Sequence, residues 1–114
     1  MKHITFADKS LLAGDELADV LVDYAATLAD NNRADSVTFS AIGADGDEVE
    51  ATYLLNSGTN LVIETSNTTL PEPENSAVVH YMQQRIDALR YPKTVQPQEP
   101  TGTDLPDFDF PAPS

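Results

Sequence analysis

Cysteine and tryptophan are missing from this 114-residue chain, and cationic side chains are few. Without cysteine there is no disulfide, no thiolate metal site and no cysteine nucleophile. Small exported domains usually lean on disulfides, so the absence favours a reducing, cytoplasmic setting. Six Lys and Arg stand against nineteen Asp and Glu, for a net charge of −13. Holding a phosphate backbone or an anionic membrane surface takes clustered cations, so nucleic acid and membranes are poor direct partners. No apolar run approaches the length of a membrane span. Lys2 near the start is followed by no apolar stretch of the kind a signal peptide needs. There is also no G-x-S-x-G nucleophile turn and no phosphate-cradling glycine loop, because the glycines fall in turns.

What is present fits one small domain and an appendage. The length suffices for one domain and not for two. Six of the eight prolines lie beyond Tyr91, at positions 92, 97, 100, 106, 111 and 113. A stretch this rich in proline lacks amide donors and has little apolar surface to bury. The expected division is a folded domain over 1–91 and a disordered, acidic, Pro-rich tail over 92–114.

Within the domain, Ile4 and Phe6 alternate with polar residues and predict an N-terminal strand, or a hairpin if Leu11–Ala13 returns. Leu17, Leu21, Tyr24 and Leu28 share one face of a helix over 15–31, widened by Val20 and Ala25. Asp15 suits its positive end, and Asn31-Asn32 marks the exit. Three strands are predicted next, at 36–42, 48–55 and 59–65. Val37, Phe39 and Ala41 oppose Val49, Ala51, Tyr53 and Leu55, and then Leu61 and Ile63, only if both connecting loops have three residues. Ala44-Asp45-Gly46 and Asn56-Ser57-Gly58 each supply a loop ending in the glycine such a hairpin favours. The pattern predicts a three-stranded antiparallel meander. Its other face carries Thr38, Ser40, Glu50 and Thr52, with Ile42, Leu54 and Val62 as scattered aliphatics. After Pro71 and Pro73, a second helix with the stripe Val78, Met82, Ile86 and Leu89 runs to about Arg90, and Pro92 stops it. The fold class is α+β, two layers, a meander covered on one face by two amphipathic helices.

Few groupings of residues point to chemistry. Asp15, Asp19 and Asp23 are spaced by four and line one helix face, an acidic stripe for a basic partner or a solvated surface. Asp45-Gly46-Asp47-Glu48 resembles part of a calcium loop but lacks the D-x-D-x-D-G order and the late bidentate Glu. No metal or other cofactor is expected. His3 and His80 are the only histidines, and neither belongs to a ligand pair. In the tail, Leu105, Phe108 and Phe110 stand among acids, a pattern suited to docking into a groove with a basic rim. The acidic tails of bacterial single-strand-DNA-binding proteins are similar in kind, though this one lacks their terminal Ile-Pro-Phe.

The run Glu50-Ala-Thr-Tyr-Leu-Leu-Asn-Ser-Gly-Thr-Asn-Leu-Val-Ile-Glu64, with a helix on either side, resembles small single-domain actinobacterial proteins of no settled function. Some carry the label of an ATP-dependent DNA ligase. That label does not transfer, because the K-x-D-G lysine motif of ligase chemistry is absent. The sequence therefore predicts a non-enzymatic, cytoplasmic protein–protein interaction module, a monomer or weak dimer, whose partner is a protein of basic character. One alternative is an acidic nucleic-acid mimic or inhibitor that blocks a basic groove. Another is an enzyme whose site is assembled in space from His80, Tyr53 and carboxylates.

Overall fold

The computed structural model describes residues 1–91. The division at residue 92 and the tail anchors Leu105, Phe108 and Phe110 lie outside the described residues. The N-terminal segment is a hairpin. β1 (Lys2–Phe6) pairs antiparallel with β2 (Lys9–Ala13) around a two-residue turn, Ala7-Asp8. Ala7 takes a positive φ of 57° there, a conformation in which a Cβ is crowded.

α1 (Asp15–Asp30) follows, and its predicted stripe of Leu17, Leu21, Tyr24 and Leu28 is buried throughout. Gly14 is its N-cap, so Asp15 and Glu16 occupy the first turn. Its exit is a Schellman motif. Asn32 adopts φ 54°, its N–H donates to Ala29 C=O, and Arg33 N–H donates to Leu28 C=O. Asn is the commonest substitute for Gly at such a left-handed position, which is why Asn31-Asn32 reads as a stop.

β3 (Asp35–Ile42) and β4 (Glu48–Leu55) pair with Val37 opposite Tyr53, Phe39 opposite Ala51 and Ala41 opposite Val49. This is the register that the three-residue loop requires. Gly43 N–H donates to Asp47 C=O, closing Ala44-Asp45-Gly46, and Gly46 holds φ 89°. The next connection departs from expectation. β5 (Leu61–Thr65) does not return along β4; it crosses to the far side of the sheet and pairs with β1, giving the order β4-β3-β2-β1-β5. Gly58 is not left-handed. Asn56 Oδ1 instead accepts from Gly58 N–H, and Thr59 Oγ1 accepts from Asn56 N–H while donating to Leu54 C=O. This side-chain turn leads the chain away from β4. The gain is at β1, where Ile4, fully buried, lies between Leu11 of β2 and Ile63 of β5.

The rearrangement also separates the aliphatics of the outer face. Leu54 and Val62, 57% and 49% exposed, sit on opposite edge strands, and Ile42 is buried opposite Leu12. They form no patch.

α2 (Ser76–Arg90) packs on α1 and β3, burying Val79, Met82 and Ile86, with Val78 and Leu89 half-buried beside them. The core lies between the helices and the sheet, as the two-layer α+β class requires. β2 and β3 share the single pair Leu12 opposite Ile42. Two residues further along that register the chain leaves β2 for α1. There the Asn75 side-chain amide takes over: it accepts from Ser40 N–H and donates to Ser40 C=O, both at 2.8 Å. One side chain thus does the work of a strand residue and anchors the start of α2.

Candidate functional site

The acidic stripe of α1 is exposed, and each carboxylate meets a cation of the same chain. Asp15 lies 3.2 Å from the N-terminal ammonium, Asp19 2.7 Å from Lys2 Nζ and Asp23 2.5 Å from an Arg90 guanidinium nitrogen. The Asp19 carboxylate holds the Lys2 ammonium above its ordinary value of 10.5. Exposed pairs of this kind add little stability, but they cancel much of the field that a stripe of free carboxylates would project.

A second polar cluster ties the layers together. Tyr24 and Tyr81 hydroxyls both donate to Asp35 Oδ2, at 2.5 and 2.6 Å, and Ser36 N–H donates to Oδ1 at 2.8 Å. The two rings meet edge to face at 6.3 Å. Burial pushes the Asp35 carboxyl up, but the two tyrosine hydroxyls, the Ser36 N–H and the charge of Arg85 together outweigh it and hold it below its ordinary 3.8. Burial and the bond to Asp35 raise the Tyr24 phenol above its ordinary 10.0. The acceptor oxygens already have partners, so the cluster clamps α1 and α2 to the start of β3.

A hollow of about 780 Å³ touches residues 6–11 of the β1–β2 hairpin, Gly43 and Ala44, and residues 49–53 of β4. Its apolar walls come from Phe6 and Val49, 36% and 38% exposed, and from Tyr53. Tyr53 stands between Phe6 and Phe39, with ring centroids 5.4 and 5.2 Å away. It is 7% exposed, and its buried hydroxyl has no hydrogen-bond partner among the described residues. Burial pushes this phenol up as well. Pockets of this size with apolar walls and a few polar groups are the usual form of binding sites.

The electrostatics of the hollow are one-sided. Asp8 and Glu50 line it, and Asp45, Asp47 and Glu48 are exposed on the adjoining turn and strand. Lys9 is the one cation of the lining. Among the described residues there are three ion pairs, all on α1, and they involve none of these five carboxylates. Among the described residues no group of three or more His, Cys, Asp or Glu gathers as a metal site, and no helix is long and apolar enough to cross a membrane. His80 is exposed on α2 and does not line the hollow that Tyr53 lines.

The structure therefore places Asp15, Asp19 and Asp23 on one helix, away from the hollow. The residues of the hollow escape a reading of the sequence because Phe6 and Tyr53 are far apart in the chain. The run of acids at 45, 47, 48 and 50 is the one local signal. In comparisons with known proteins, no family model, no curated protein and no solved structure matches the chain.

Proposed function

We propose that this protein is a small, non-catalytic interaction module that binds a basic protein partner through the hollow between its two hairpins. The observation that carries this reading is the pairing of an apolar hollow with five carboxylates that have no ion-pair partner among the described residues, while the α1 stripe is matched by cations of the same chain. Apolar walls supply binding energy and the acidic rim supplies selectivity and fast encounter with a cationic surface. The absence of cysteine suits a cytosolic setting for such a module.

The test is capture of basic proteins from host lysate by the full chain and three double variants. The reading expects Glu48→Lys with Glu50→Lys to abolish capture. It expects Asp19→Lys with Asp23→Lys, and Phe108→Ser with Phe110→Ser, to retain it. Loss through the α1 pair alone would move the site to the helix stripe, and loss through the tail pair alone would move it to the tail.

A further inference from the structure

We infer that the partner segment binds as an added β-strand on β4, and that it is an extended peptide alternating basic and apolar residues; this rests on the basic-partner reading above. Among the described residues β4 ends the sheet, with β3 on one side and no strand on the other. The direction of its free backbone groups follows from Asn75. Ser40 N–H and C=O turn away from β4 to meet the Asn75 amide. Ser40 opposite Glu50 is therefore a pair without mutual hydrogen bonds, and the bonded pairs are those of Val49, Ala51 and Tyr53. By the same alternation the N–H and C=O of Glu48, Glu50 and Thr52 point outward from the edge. At Leu54 the carbonyl is taken by Thr59, which ends the free stretch.

The hollow between the two hairpins reaches β4 from its β3 side, along residues 49–53. An added strand would place alternate side chains beside Glu48 and Glu50, where Lys or Arg is matched. The others would fall toward Val49, Phe6 and Tyr53, where apolar groups are matched. A second copy of this chain would bring its own Glu48 and Glu50 to the same edge, which charge disfavours.

The probe is the synthetic peptide Lys-Val-Arg-Val-Lys-Val-Arg, with Lys-Arg-Lys-Arg-Val-Val-Val as a control of identical composition and charge. Binding to the full chain is followed by fluorescence polarisation and by amide hydrogen exchange. In the free protein, Val49, Ala51 and Tyr53 amides should exchange slowly and those of Glu48, Glu50 and Thr52 fast. The alternating peptide should slow the second set and bind about tenfold more tightly than the control. Equal binding of both peptides, with no new protection, would overturn strand addition and leave the basic-partner reading standing. Failure of both peptides to bind at low salt would overturn both. Slow exchange of Glu48, Glu50 and Thr52 in the free chain would show the edge already covered and would also overturn the inference.

Discussion

Replacing Asp35 by Ala removes the acceptor shared by Tyr24 and Tyr81, and the two tyrosines should feel the loss unequally. Tyr24 is fully buried, so its hydroxyl loses its carboxylate acceptor and cannot recover one from water. Tyr81 is 42% exposed and can turn its hydroxyl to solvent. Hydrogen bonds to a charged group are worth about 1.5–3 kcal/mol, and an orphaned buried donor costs about 1–3 kcal/mol. Asp35→Ala should therefore cost ~2–4 kcal/mol, Tyr24→Phe ~1.5–3 kcal/mol and Tyr81→Phe under ~1 kcal/mol. The double variant Asp35→Ala with Tyr24→Phe should cost less than the sum, with a coupling of about 1–2 kcal/mol. Urea unfolding of the full chain, followed by far-ultraviolet circular dichroism, measures each term. Additivity within about 0.5 kcal/mol, or a Tyr81→Phe cost above that of Tyr24→Phe, would refute the clamp.

The same cluster sets a pH dependence. Asp35 has its folded value lowered, so its contribution is fully present above the ordinary 3.8 and is lost as pH falls through the lowered value. Tyr24 has its folded value raised, so its contribution is fully present below 10.0 and is lost as pH climbs through the raised value. Asp35→Ala should flatten the acid limb of the stability profile.

Other substitutions probe the scaffold. Ala7→Gly should stabilise by up to ~1 kcal/mol, since the left-handed strain of about 1–2 kcal/mol is partly offset by unfolded-chain entropy; a thermal melt reads the sign. Gly46→Ala at φ 89° should destabilise by ~1–2 kcal/mol in the same assay, although a Cβ there would meet nothing. Asn75→Ala removes both bonds to Ser40 and should cost ~1–3 kcal/mol, with faster exchange of the Ser40 amide as its local signature.

Local patterns made the helices and the β3–β4 hairpin legible. Leu17, Leu21, Tyr24 and Leu28 repeat at helical spacing and are buried as that spacing implies. Gly46 and the alternation of Val37, Phe39 and Ala41 agree on one register, and the structure has it. The strand at β5 was legible but its place in the sheet was not, because Leu61 and Ile63 would suit the edge of β4 or of β1 equally well. The choice turns on burying Ile4, a contact between distant parts of the chain. Asn75 was illegible for another reason: nothing local marks an amide that stands in for a strand. The spacing of Asp15, Asp19 and Asp23 was plain, but two of their partners lie at the start of the chain and the third at Arg90.

The placement of β1 between β2 and β5 also orders the folding of the chain in time. Both hairpins close over a few residues, whereas Ile4 meets Ile63 only after a loop of roughly sixty residues is closed, and closure entropy grows with the logarithm of loop length. The hairpins and α1 can therefore form while the chain is still being synthesised, and the outer edge of β1 stays open until β5 emerges. Through that interval β1 is an unsatisfied template, with Ile4 uncovered on one flank. Apart from Phe6, its neighbours in the strand, Lys2, His3 and Thr5, are polar or charged, a composition by which exposed strands avoid pairing with other chains before their own partner arrives.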